Sequence, residues 1–278
     1  AIVTNLDPDH LDHYGSFDEL TDAFARFARN ASGPVVVPDV GAAASLVADR
    51  RTSFGLTESA DVRLVDFDGH RSHSTFGLSF RGAAPLPVRL AVPGPHNALN
   101  ATAAATMAVE LGVDPEVACA GLGRYTGVGR RYEFRGEARG VTFVDDYAHL
   151  PAEVAAALST ATDGGFDRVV CVFQPHRFSR TAAVWQDFVD SFVDADLLVL
   201  TDIYSAGEAV RPGITVRLVL RAVLDGHPEQ RVAYLPTLAD VESFLVGELR
   251  AGDVCLTLGA GDLTLLPDRV LAELEPDG

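Results

Sequence analysis

Apolar residues recur along the chain in two rhythms, and the change between them falls near Gly129. Before that point, short apolar runs follow one another with few helical interruptions. Val35 to Val37, Thr52 to Leu56, Val62 to Phe67, Arg71 to Phe80 and Pro87 to Val92 read as strands, and Ala1 to Asn5 as the end of another. Ser16 with Glu19 three residues later is a capping box, and Phe17, Leu20, Phe24 and Phe27 recur behind it at helical spacing. Gly94-Pro95 opens an alanine-rich helix to about Leu111, and a second helix starts at Pro115. This half is mixed α/β.

Beyond Arg130 the pattern alternates regularly. Strands are expected near 141–144, 168–173, 196–201, 231–235 and 254–258, separated by helical segments, which describes a Rossmann-like, mostly parallel, doubly wound sheet. The glycine-rich stretch 121–129 ends the first half, so the expected domains are 1–129 and 130–278.

Composition removes several function classes. A formal charge of −17 repels a phosphate backbone, so no nucleic-acid partner is expected. No apolar run reaches membrane-spanning length and no basic-then-apolar leader is seen, which leads to the expectation of a cytoplasmic protein with no membrane contact. All 22 basic residues are arginine, so no lysine can serve a phosphate loop or a Schiff base within these residues. Cys119, Cys171 and Cys255 sit apart in apolar contexts and read as buried thiols. The single methionine is Met107, from which truncation or processing before Ala1 is expected.

Candidate chemistry concentrates where apolar runs stop at polar clusters. Phe143-Val144-Asp145-Asp146-Tyr147-Ala148-His149-Leu150-Pro151 and Phe173-Gln174-Pro175-His176-Arg177-Phe178-Ser179-Arg180 each end a strand in chargeable groups. Ligands of open α/β sheets lie beyond the carboxyl ends of the strands, so the two clusters, read as following neighbouring strands, would face one crevice. A carboxylate there can hold a ribose hydroxyl, while the arginines and histidines could grip a carboxylate and orient an amine. Four weaker signals accompany them. Asp7-Pro8-Asp9-His10-Leu11-Asp12 is either turn chemistry or a cation-binding loop. His96-Asn97 and Asn100, at a helix start, either cap the helix or face a base edge. Arg130-Arg131 either clamps a phosphate or forms an interdomain salt bridge. Gly259-Ala260-Gly261-Asp262, after the last strand, is a tight turn that could face a phosphate.

The order of these motifs resembles that of the Mur ligases. Val3-Thr4-Asn5-Leu6-Asp7-Pro8-Asp9-His10-Leu11-Asp12, Pro93-Gly94-Pro95-His96-Asn97-Ala98-Leu99-Asn100-Ala101, Gly129-Arg130-Arg131, Asp145-Asp146-Tyr147-Ala148-His149 and Phe173 to Thr181 carry the likeness, which extends over nearly the whole chain. It implies part of a central ATPase domain followed by a complete carboxy-terminal domain, with the family's Gly-x-x-Gly-Lys-Thr loop and amino-terminal domain expected upstream. It further implies a cell-wall amide ligase: ATP phosphorylates a carboxylate of UDP-N-acetylmuramate, and the amine of L-alanine attacks the acyl phosphate. By motif, His10 would bind Mg²⁺, Asn97 and Asn100 would face adenine, Arg131 would reach the ATP phosphates and Asp146 the ribose. His149, His176, Arg177 and Arg180 would form the alanine site, with Arg131 and His149 acting in catalysis. Where the family usually carries a second histidine, this chain has Leu150. Two other readings stay open: a ligase of the same superfamily with another acceptor, such as the murein-peptide-recycling enzyme, and a non-catalytic module that holds a nucleotide or amino acid. The fragment by itself is expected to be inactive.

Overall fold

The computed structural model describes residues 1–8 and 11–275, and the chain separates into two compact units, Ala1–Thr126 and Gly127–Gly278. In the first unit α1 (Leu11–Tyr14) and α2 (Phe17–Arg29) precede strands β1 (Val35–Pro38), β2 (Arg51–Gly55), β3 (Val62–Gly69), β4 (Ser74–Phe80) and β5 (Leu86–Leu90). Helices α3 (Pro95–Glu110) and α4 (Pro115–Leu122) follow. The sheet order is β1-β2-β3-β4-β5, with the first two pairings parallel and the last two antiparallel. Ala1–Val3 does not form a full strand. It lies along the free edge of β1 through Val3 N–H to Val36 O and Val36 N–H to Ala1 O, each 2.9 Å.

The alternation of β3 to β5 has a direct outcome. Leu64, Phe76, Leu78, Val88 and Leu90 share one buried face, and Ala98, Ala101 and Ala105 of α3 pack against it. Small side chains on the helix let its backbone lie close to the sheet. On α2, Ser16 caps the helix by accepting Glu19 N–H at 3.2 Å. The expected stripe is corrected at one position: Phe27 is 53% exposed, and Ala28 is the buried residue. The helical repeat places Ala28 in line with Leu20 and Phe24, leaving Phe27 on the flank.

The second unit comprises β6 (Glu133–Ala138), β7 (Val141–Asp146), α5 (Pro151–Asp163), β8 (Arg168–Phe173), α6 (Phe178–Val184), β9 (Leu197–Leu200), α7 (Arg217–Gly226), β10 (Val232–Tyr234), α8 (Leu238–Glu248), β11 (Asp253–Leu258) and α9 (Leu266–Leu274). The order is β10-β9-β8-β11-β7-β6, parallel except for β6, which runs antiparallel to β7. Strand β6 escaped the sequence reading because Glu133-Phe134-Arg135-Gly136-Glu137-Ala138 is polar, lies on an edge and breaks register between Phe134 and Gly136. Strand neighbours differ from expectation too: β11 inserts between β7 and β8, so the two polar clusters do not follow adjacent strands.

Every residue of β11 and nearly every residue of β8 is buried, as a strand covered on both faces requires. Val144, Cys171, Phe173, Leu198 and Leu256 face the layer holding α5 and α7, while Phe143, Val170, Val172, Val199 and Cys255 face α8 and α9. All three cysteines are free and buried. No helix among the described residues is long and apolar enough to cross a membrane. Phe173 is fully buried, with the rings of Phe188 and Phe192 at 5.1 and 5.3 Å. Phe173→Ala is therefore expected to cost about 3–5 kcal/mol of stability, read from the urea midpoint of the second unit.

Candidate functional site

Strand β7 ends in two carboxylates with separate tasks. Asp145 is 1% exposed; its Oδ1 accepts Thr257 Oγ1 at 2.7 Å, and its Oδ2 accepts Thr264 Oγ1 at 2.7 Å and Arg130 Nε at 3.2 Å. Arg130 Nη2 also donates to the carbonyls of Gly259 at 2.5 Å and Gly261 at 3.3 Å. Arg130 thus ties the end of β7 to the turn after β11, and its guanidinium is committed. Arg131 is not. Its side chain is 54% exposed, 4.0 Å from Glu153, and lies 5.6 Å from the Tyr147 ring centroid. Of the two adjacent arginines, Arg131 is the one available to an anion.

Asp146 is 6% exposed, and each oxygen accepts a backbone N–H at 2.7 Å, from Tyr132 to Oδ2 and from Ala148 to Oδ1. Burial raises its pKa to about 6 against the lowering effect of those amides and of Arg131. Desolvation outweighs hydrogen bonding here. Only the lone pairs beyond these contacts remain for another partner.

His149 and His176 are brought together, ring centroids 5.8 Å apart. His149 Nδ1 lies 3.0 Å from Tyr147 O and 3.5 Å from Glu153 Oε2. His176 Nδ1 lies 3.1 Å from Arg180 Nη1. Burial first, then the charge of Arg180 and the neighbouring His149 and Arg177, lower the His176 pKa to about 4, so this imidazole is neutral at pH 7. Arg177 caps α6 with φ +69°, a left-handed conformation that a side chain adopts only when its surroundings impose it. Its N–H donates to Tyr204 O at 2.8 Å, and its carbonyl accepts from Thr181.

Sequence reasoning missed the loop that imposes this conformation. Tyr204, beyond β9, forms a parallel bridge with His176 and stacks on its ring at 5.7 Å and 14°. Glu208 accepts Ser179 N–H at 2.9 Å and the Ser179 hydroxyl at the start of α6. A Cβ on Gly261 would lie 2.5 Å from the Tyr204 ring, so only glycine permits the turn after β11 to approach this loop. Asp202-Ile203-Tyr204-Ser205-Ala206-Gly207-Glu208 is itself a polar cluster after an apolar strand, so the rule applied to β7 and β8 could have found it.

In the first unit, Asn97 and Asn100 line a cavity of about 330 Å³ with Tyr125, Leu122 and Ala104. Neither asparagine caps α3, whose N-cap is Gly94. Asn97 Nδ2 donates to Pro93 O at 2.7 Å, which leaves Oδ1 as its acceptor. His10 lies outside the described residues, and among those described no three His, Cys, Asp or Glu side chains are grouped to hold a metal.

The second unit is an open sheet of the doubly wound α/β class, with a cluster of arginines and histidines at its strand ends. Residues 1–108 match the Mur ligase middle domain and residues 130–261 the Mur ligase glutamate ligase domain. The chain belongs to the Mur ligase family. It is 43% identical to the UDP-N-acetylmuramate–L-alanine ligase of Kineococcus radiotolerans, covering 97% of this chain and 59% of that protein. Among solved structures, UDP-N-acetylmuramate–alanine ligase from Thermotoga maritima superposes with a TM-score of 0.79 at 27% identity, covering 98% of this chain and 58% of that one. The fold is also that of MurF ligase from Thermotoga maritima in complex with ADP, with a TM-score of 0.75 at 15% identity over 99% of this chain and 62% of that one. The chain spans about three-fifths of the length of the curated relatives it matches.

Two expectations follow. Arg130→Ala, which leaves the buried Asp145 with its two threonine donors and Arg135 Nη1 at 3.9 Å, should cost about 1.5–3 kcal/mol, whereas Arg131→Ala should change stability by no more than about 0.5 kcal/mol in urea titrations. Because the folded-state pKa of Asp146 is raised above 3.8, its contribution to stability is present below that value and is lost as pH rises through about 6. The Asp146→Asn variant should therefore show a flatter dependence of unfolding free energy on pH between 4 and 7 than the parent.

Proposed function

We propose that this chain serves an ATP-dependent amide ligase that joins L-alanine to UDP-N-acetylmuramate in peptidoglycan synthesis. The observation that carries the reading is the convergence of His149, His176 and Arg180, with Arg177 exposed beside them, in a chain whose relatives at 38–43% identity are named for that reaction. A carboxylate is a poor electrophile; transfer of a phosphoryl group from ATP gives it a leaving group, and the amine then displaces phosphate.

In this reading Arg177 and Arg180 hold the carboxylate of alanine, a pairing suited to the guanidinium fork. Exposed Arg131 meets the charge that develops on phosphate oxygens. In the first unit, Asn97, with its amide nitrogen held by Pro93, offers Oδ1 to the amino edge of adenine, and Asn100 lies on the same cavity. Asp146 would receive a ribose hydroxyl on a remaining lone pair. The domain roles follow, 1–129 for ATP and 130–278 for the amino acid together with the nucleotide contacts of Arg131 and Asp146. The residues present suit ATP; among the described residues no three His, Cys, Asp or Glu side chains are grouped to hold Mg²⁺, and His10, which the motif assigns to it, lies outside them.

The gene product that carries this chain should release phosphate from ATP only when UDP-N-acetylmuramate and L-alanine are both present. His176→Ala and Arg180→Ala should each raise the KM for alanine about tenfold or more while leaving the KM for ATP nearly unchanged, measured by phosphate release. Equal turnover with a preformed peptide in place of alanine would replace this reading with the peptide-recycling one.

A further inference from the structure

The two histidines of the site have neighbours of opposite hydrogen-bonding character. His149 Nδ1 faces two acceptors, Tyr147 O and Glu153 Oε2, at 3.0 and 3.5 Å. An imidazole nitrogen so placed carries the proton, which makes Nε2 the basic nitrogen. At His176 the order is reversed. Arg180 Nη1 can only donate, so Nδ1 of His176 accepts and its proton sits on Nε2.

Glu153 has the contacts of a fixed group. It is the third residue of α5, and its Oε2 also accepts the backbone N–H of His149 at 3.0 Å and of Leu150 at 3.2 Å. Its Oε1 lies 4.0 Å from Arg131 Nη1. One carboxylate therefore lies within 4.0 Å of both Arg131 and His149. Other groups facing His149 are the Tyr147 ring, edge-on at 5.4 Å, and His176 with Arg180 beyond it. Of the side chains named around His149, only Glu153 is anionic.

We propose that Glu153 is a positioning residue that holds His149 in the Nδ1–H tautomer, so that Nε2 of His149 removes the proton from the amine substrate while His176 only donates a hydrogen bond. The proposal rests on the amide-ligase reading for its substrate. An ammonium group cannot attack. One proton passes from the substrate R–NH₃⁺ to His149 Nε2, the N–H electron pair stays on nitrogen and forms the bond to the acyl carbon, and the nitrogen, now positively charged with two hydrogens, gives its second proton to the phosphate that leaves with the electrons of the broken C–O bond, which completes the amide. The imidazolium so formed is stabilised by the Glu153 carboxylate and then returns its proton to water.

The test begins on the chain itself, uniformly labelled at histidine ring nitrogens and followed by NMR against pH. His149 should show a protonated Nδ1 and an unprotonated Nε2, and His176 the reverse. In Glu153→Gln, which can still accept the two backbone N–H groups, the His149 titration midpoint should fall by about one pH unit while that of His176 stays put. Glu153→Asp, which keeps the charge, should recover most of the loss. An Nε2–H tautomer at His149 in the parent, or an unchanged midpoint in the Gln variant, would overturn the proposal, and the parent spectrum decides even if the variant fails to fold. In the ligase assay the Gln variant should move the acid limb of kcat/KM for the amine to lower pH by the same amount and lower the maximal rate about tenfold. If the tautomers stand but alanine is no substrate, the proposed function fails and the positioning role of Glu153 survives. If alanine is a substrate and the tautomers are reversed, only the positioning role fails.

Discussion

A carboxylate removed from water must be matched by donors, and Asp145 is where the second unit meets that demand. Four side chains converge on it: Arg130 before the sheet, Thr257 within β11 and Thr264 after it by hydrogen bonds, and Arg135 of β6 at 3.9 Å. An unmatched charge there would cost several kcal/mol, so the contacts hold together or not at all. They anchor the end of β7, draw the turn at Gly259–Gly261 against Arg130, and leave Arg131 pointing elsewhere. The division of labour between two adjacent, chemically identical arginines is thus a consequence of one buried acid.

The same economy appears around α6. Arg177 occupies a left-handed conformation because the loop beyond β9 grips its N–H, the ring of the residue before it and the start of the helix after it. Strain in a turn persists when the surroundings over-determine it. Here the surroundings are Tyr204, Glu208 and the glycine turn after β11, and the His176 ring is held between Tyr204, stacked on it, and Arg180, 3.1 Å from its Nδ1.

Much of this could be read from the residues in order. Short apolar runs located ten of the eleven strands among the described residues, Pro and Gly located the starts of α3 and α4, and the polar stops after β7 and β8 marked the cluster that holds His149, His176, Arg177 and Arg180. The omissions have local causes. Strand β6 carries no apolar alternation because it is a bulged edge, and Phe27 obeys helical spacing yet lies just off the buried stripe. Tyr204 and Glu208 follow the same strand-end rule as the residues that were singled out, but nothing in their own segment says that they reach His176 and Ser179.

What the sequence by itself determined is therefore the set of elements, the boundary zone between two units and the chemistry available at the strand ends, because each depends on residues close together along the chain. Only the tertiary structure decided that β11 lies between β7 and β8, that Arg130 is committed while Arg131 is exposed, and that the Nδ1 atoms of the two imidazoles meet neighbours of opposite hydrogen-bonding character. Those outcomes depend on which distant donors and acceptors meet when the sheet assembles, and periodicity contains no information about strand order or about the partner of a buried charge.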